Sequence, residues 1–319
     1  MTFPKRAAFI VGAPRCGTSS LWRLFNQHPE VCFSAVKEPH FFSRFDLQSL
    51  DETSLGELVT RAYVDRFFAA RSDESLLMEA SPTYFYAPER MRTILRLWPE
   101  AKFIIALRDP LTMIPSLHSR LLITGDETVS DLKRAWSLIP ERREGHRIPR
   151  SCIDARFLRY DEAARFATHL KNFLGAVGEQ RCFVVLLDDL SSDPAGSYEE
   201  ICRFLNLEPW LPTEFKIDRT NRSCRVKWLQ RLLNRPPKRV QRWLASDQFL
   251  QRQGIARDGN GLFRTVASLR KRILRWNEYP APRKPLDDAL KSKIAGHYRQ
   301  EVEELSNIIG RDLSHWLRI

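Results

Sequence analysis

The chain has 319 residues, 43% of them hydrophobic and 28% charged, and its 51 Lys and Arg against 39 Asp and Glu give a net charge of +12. That length can bury a sizeable core in one large domain or two, but no apolar run approaches the roughly 18 to 20 residues of a membrane span. Lys5 and Arg6 lead into a five-residue apolar run rather than a signal sequence, and the six cysteines (Cys16, Cys32, Cys152, Cys182, Cys202, Cys224) form no C-x-x-C pair suggesting a zinc site or a disulfide framework.

Ala7 to Val11 is apolar and stops at a glycine, which predicts a buried strand. Gly12 to Ser19 is a turn with two glycines five apart, and Leu21, Leu24 and Phe25 then share a helix face. Strand, glycine-bounded loop and helix start form the arrangement that holds a phosphate, because free amides and the positive helix end converge there. The G-x-x-x-x-G spacing is that of a P-loop, yet Thr18 stands where the lysine of an ATPase belongs. Arg15 lies inside the loop, and Thr18, Ser19 and Ser20 supply hydroxyls.

Val31 to Phe33 predicts a short strand, and Lys37-Glu38-Pro39-His40-Phe41-Phe42 follows. That loop suits acid–base chemistry if its two phenyl rings desolvate Glu38 or His40. A helix is predicted over 55–70, strands over 76–80 and 102–107, and a helix over 88–98. Arg108, at the carboxyl end of the fourth strand, sits where open α/β sheets bind ligands, and its fork suits a phosphate. The next helix carries Ser116, His118 and Arg120; further helices are predicted over 130–139 and 155–173, a strand over 182–187, a helix from Asp193-Pro194 to Leu205, and a last helix over 286–309 ending at Gly310. Continuous apolar strands alternating with helices predict an α/β fold, a P-loop-like parallel sheet with helices on both faces.

Charge is uneven. Residues 219–284 hold 18 Lys and Arg against Asp247, Asp258 and Glu278, a local +15, which leaves −3 for the rest. Within this block Trp228, Leu229, Leu232 and Leu233, then Val240, Trp243 and Leu244, and finally Leu262, Val266, Leu269, Ile273 and Trp276 keep helical spacing among the basic residues. The sequence therefore reads as a nucleotide-binding core over 1–218, a basic helical C-terminal subdomain over 219–285, and a closing helix over 286–319 that packs on the core. The basic block is either a solvated helical subdomain or a surface for anionic lipid or an acidic polymer. Charge alone permits nucleic acid, but no reader motif supports it.

Six segments in order resemble the sulfotransferase superfamily that uses 3′-phosphoadenylyl sulfate (PAPS), especially its bacterial and heparan-sulfate branches: GAPRCGTSSL (12–21), KEPHFF (37–42), EASPTYF (79–85), ALRDPLTMIPS (106–116), FVVLLDDL with FLNL downstream (183–190, 204–207) and LSNIIGRDLSHW (305–316). The resemblance implies that Arg15, Cys16, Gly17, Thr18, Ser19 and Ser20 surround the donor's 5′-phosphosulfate, that Arg108 and Ser116 bind its 3′-phosphate, and that Glu38 is the base with Lys37 and His40 beside it. It implies PAPS as donor and a hydroxyl acceptor, a saccharide or lipid-linked saccharide. It departs from the heparan branch at Ala80, where a lysine is usual, at Met113, where an arginine is frequent, and in lacking a two-cysteine acceptor loop. Thr220-Asn221-Arg222-Ser223 resembles a loop over the nucleotide.

No metal is required on this reading, because a sulfuryl group carries less charge than a γ-phosphoryl and positioning with electrostatic clamping suffices. The competing readings are a P-loop kinase using Mg-ATP and a membrane- or polyanion-binding protein with a vestigial nucleotide site. The cysteine pattern suits a reducing cytoplasm, with peripheral membrane contact through 219–285.

Overall fold

The computed structural model describes residues 3–72, 75–210, 222–234, 261–281 and 285–318, with the backbone alone at 222 and 261–267. The expectations on Thr220-Asn221, on Val240, Trp243 and Leu244, and on the Leu262 and Val266 side chains lie outside the described residues.

Five strands form a parallel sheet in the order β2-β3-β1-β4-β5: β1 (Ala7–Gly12), β2 (Val31–Phe33), β3 (Leu76–Ala80), β4 (Lys102–Leu107) and β5 (Cys182–Leu186). β1 and β3 are buried at every residue, as strands are when helices flank a parallel sheet, and Glu79 is the one charged residue among them. The order reverses at β1, whose neighbours are β3 and β4. Open α/β sheets place ligands outside the carboxyl ends of strands at such a point. Register sets Gly12 opposite Ala106, so the glycine loop starts against the β4 backbone.

The apolar repeat after the loop becomes helix α1 (Thr18–Phe25), with Leu21, Leu24 and Phe25 buried. The helix read over 55–70 is α2 (Glu52–Val59), capped by Asp51 and continued by a wider turn over Thr60–Val64 and a short helical turn over Asp65–Phe67. α3 (Pro88–Leu97) and α4 (Pro110–Thr124) each begin at a proline, which fits the first turn because its missing N–H has no partner there. The continuous helix expected over 155–173 is broken. Arg159 (φ −89°, ψ 76°) and Ala164 (φ −115°, ψ 25°) leave helical geometry, and α5 runs over Phe166–Val177. The break seats the Tyr160 ring, fully buried, with its hydroxyl donating to Glu127 Oε2 at 2.9 Å. α6 (Pro194–Leu205) is capped by the Asp193 side chain.

Compactness divides the chain into 1–108 with 167–218, and 109–166 with 219–319. The segments 109–166 and 286–319, read from the sequence as part of the core and as a helix on it, thus share a unit with the basic block. The sheet belongs to the first unit. In the second, β6 (Arg222–Cys224) pairs antiparallel with β7 (Glu278–Pro280), a pairing the helical reading of this block did not contain. Helices α7 (Lys227–Asn234), α8 (Gly261–Asn277) and α9 (Asp288–Ile309) complete it, and α9 ends at Gly310 with φ 65°. α9 buries Leu290, Ile294, Tyr298, Val302 and Leu305.

Candidate functional site: an anion loop joined to a carboxylate

Gly12 has φ 128°, and a Cβ there would run into the Ala106 carbonyl oxygen and come within 2.7 Å of the Ala106 nitrogen. Only glycine lets the loop leave β1 this close to β4. Gly17 (φ 97°) precedes α1, and no side chain caps the helix start. The Ser20 and Leu21 N–H groups donate to the Gly17 carbonyl, and the Thr18 and Ser19 amides ahead of them stand at the positive helix end, a seat for an anion. Arg15 holds a left-handed backbone at φ 74°. Its carbonyl accepts a 3.1 Å hydrogen bond from Nη1 of Arg108, which is buried. The two arginines picked from separate motifs thus meet at one turn of backbone. Ser116, buried on α4, belongs to the second compact unit. Cys16 is fully buried in the loop, and burial pushes its thiol up to about 12 against the pull of Arg108 and Arg15.

Lys37 links this loop to the next motif. Its Nζ lies 2.5 Å from Ser19 Oγ and 3.6 Å from Glu38 Oε1. On the other side, His40 Nε2 is 3.7 Å from Glu38 Oε2, while His40 Nδ1 is 2.7 Å from Thr83 Oγ1. Ser19, Lys37, Glu38, His40 and Thr83 form one polar row. Glu38 and His40 both have positive φ (59° and 54°), an arrangement a non-glycine residue keeps only when its surroundings hold it. They do: the His40 N–H donates to Ser81 Oγ at 3.0 Å and the Phe42 N–H to the Tyr84 hydroxyl at 3.1 Å.

Phe41 and Phe42 are buried and pack on Tyr63 at 5.1 and 5.0 Å between ring centres, so they anchor the loop from beneath. The desolvated acid is Glu79, on β3. Burial pushes its carboxyl up to about 7, although Tyr63, Tyr84 and Ser81 hydroxyls favour its charge. Tyr63 donates to Glu79 Oε2 at 2.7 Å, and Oε1 has no hydrogen-bond partner among the described residues. Sequence reasoning passed over Glu79; the available signal was one acid inside the apolar strand LLMEA. His118, on α4, is a core histidine: it is buried, its Nε2 lies 2.8 Å from the Val129 carbonyl, and burial lowers its pKa.

A glycine loop at the carboxyl end of the central strand of a parallel sheet, opening a helix, is the arrangement on which α/β proteins seat an anion. The Sulfotransferase family profile matches residues 7–212, and the chain belongs to that family. It is 25% identical over 248 residues to carbohydrate sulfotransferase 15 of Mus musculus, covering 63% of this chain and 44% of that protein. It is 26% identical over 217 residues to heparan sulfate glucosamine 3-O-sulfotransferase 6 of Mus musculus, covering 65% and 53%. The chain spans about half the length of these curated relatives. Among solved structures, a sulfotransferase from Alicyclobacillus acidocaldarius shares the fold with a TM-score of 0.64 at 21% identity, over 100% of both chains.

Proposed function

We propose that the protein transfers a sulfuryl group from PAPS to a hydroxyl of a saccharide or lipid-linked saccharide, with Glu38 as general base. The observation that carries the reading is Lys37, whose ammonium touches Ser19 of the anion loop and faces the Glu38 carboxylate. One cation thus joins the place for a phosphosulfate to a proton acceptor. The loop suits such a donor: two glycines with positive φ, an uncapped helix start, and Arg15 and Arg108 meeting at its turn. Relatives named for carbohydrate and heparan sulfate support a saccharide acceptor.

PAPS supplies a sulfuryl group on a nucleotide phosphate. In this reading Glu38 takes the acceptor's hydroxyl proton, and His40, held by Thr83, keeps the carboxylate aimed. Arg15, the hydroxyls of Thr18, Ser19 and Ser20, and the backbone of the Cys16-Gly17 turn with the first amides of α1 surround the charge that grows on the departing phosphate. Lys37 stands beside that charge and takes the place of the cation missing at Ala80. Arg108 receives the 3′-phosphate.

The test is transfer of radiolabelled sulfate from PAPS to a panel of saccharides by wild type and Glu38→Gln. The variant should lose about 10² to 10⁴ in kcat, while its affinity for adenosine 3′,5′-bisphosphate stays within about two-fold by calorimetry, less than a lost charged hydrogen bond would cost. A variant with undiminished kcat removes Glu38 from this role.

A further inference from the structure

In the described part of the basic segment two amides are buried and four large apolar side chains are exposed, while Leu229, Leu233, Ile273 and Leu274 are half-buried. The side chains buried where α7, α8 and β7 meet are amides, Gln230 at 1% and Asn277 at 0% exposure. Asn277 Oδ1 accepts the Val226 N–H at 2.8 Å, and its Nδ2 donates to the Val226 carbonyl at 3.0 Å and to Gln230 Oε1 at 2.8 Å. Gln230 Nε2 donates to Glu278 Oε1 at 2.8 Å. With the β6–β7 pairing, this clasp ties the ends of the segment together by hydrogen bonds.

The large apolar groups are outside. Trp228 and Leu232, one turn apart on α7, are 69% and 46% exposed, and Leu269 and Trp276, two turns apart on α8, are 54% and 57% exposed. Eight large hydrophobic side chains are exposed among the described residues, and these four with Tyr279 make five of them. The Arg225 guanidinium lies 5.7 Å from the Trp276 ring centre and 5.6 Å from that of Tyr279. Lys227, Arg231, Lys271, Arg272 and Arg275 are exposed around them.

Large apolar side chains left in water on two helices and ringed by cations are what an interfacial surface shows. We propose that this surface docks on an anionic phospholipid membrane, with Trp228, Leu232, Leu269 and Trp276 entering the interface and the surrounding Arg and Lys meeting the headgroups. Lys227, Arg231, Lys271, Arg272 and Arg275 supply the complementary charge, and each basic side chain near an anionic leaflet adds about five-fold to partitioning. An acidic polysaccharide could meet those cations and stack on an indole, but it offers nothing to Leu232 and Leu269. The proposal stands apart from the transfer reaction and is tested without it.

The experiment is co-sedimentation of the full chain with vesicles of phosphatidylcholine, alone or mixed with phosphatidylserine, alongside intrinsic tryptophan fluorescence. Wild type should sediment with the mixed vesicles only, with a blue-shifted emission. The triple variant Trp228→Ser, Leu232→Ser, Trp276→Ser should lose about ten-fold or more in partitioning while melting at the wild-type temperature, since these groups are already in water. Arg231→Glu with Arg272→Glu should lose a comparable factor by the separate route of charge. The proposal is overturned if wild type ignores the mixed vesicles, or if the triple variant binds them as wild type does. It is also overturned if heparin is bound and vesicles are not, which would make the surface a polysaccharide site.

Discussion

Glu79 has a pH signature of its own. Burial raises its carboxyl from the ordinary 4.5 to about 7 in the folded protein. Between those values the folded state holds a proton that the unfolded chain has released, so this group's contribution is full below the lower value and declines as pH rises through the upper one. The loss is on the order of 3 kcal/mol across the window. Glu79→Gln stays uncharged, so its thermal stability should fall less than that of wild type between about pH 5 and pH 8; parallel curves would exclude Glu79 as the source. Cys16 behaves oppositely to a reactive loop cysteine. With its thiol at about 12, it should resist iodoacetamide in the native state and react only after unfolding, as mass spectrometry of the labelled peptide would show.

At the scale of elements, two junctions carry disproportionate weight. The first is β1 against β4 at Gly12. Gly12→Ala introduces both a strained φ and a collision with the Ala106 backbone, and should cost at least about 2 to 3 kcal/mol in urea unfolding. The second is the connection around Tyr160, where Arg142 and Glu127 form a fully buried ion pair at 2.8 Å. Tyr160 donates to the same carboxylate. Arg142→Ala would strand that charge and should cost about 3 to 5 kcal/mol, whereas exposed pairs such as Arg147 with Glu141 are worth about 1 kcal/mol or less. Both losses are read as shifts of the urea midpoint at unchanged slope.

The whole molecule is interleaved in sequence, since each compact unit is made of two separate stretches of chain. A fragment of residues 1–218, the core the sequence suggests, would keep 109–166 and discard the helices that unit folds with. Within that unit, the apolar side of α9 and the Tyr298 hydroxyl, which donates to the Tyr160 carbonyl, would be gone. The fragment should therefore be poorly soluble and bind a hydrophobic dye, and a soluble fragment melting like the full chain would show that 109–166 needs no partner. Charge asymmetry also belongs to this scale: +15 in one segment against −3 elsewhere makes any binding through it fall steeply with salt.

Sequence periodicity and punctuation were enough for β1, the glycine loop, α1, β4, β5 and the end of α9 at Gly310, because each is fixed by local hydrogen bonding and by which face turns inward. Motif spacing singled out Arg15, Lys37, Glu38, His40 and Arg108 as candidates. Only tertiary packing brought Lys37 to Ser19 and Arg108 to the Arg15 carbonyl, since contacts between distant segments depend on sheet order and register. Burial of Glu79, anchoring by Phe41 and Phe42, the break at Arg159 and the amide clasp at Asn277 were decided the same way. A side chain's environment is set by whatever else arrives beside it, and the local pattern carries no record of that.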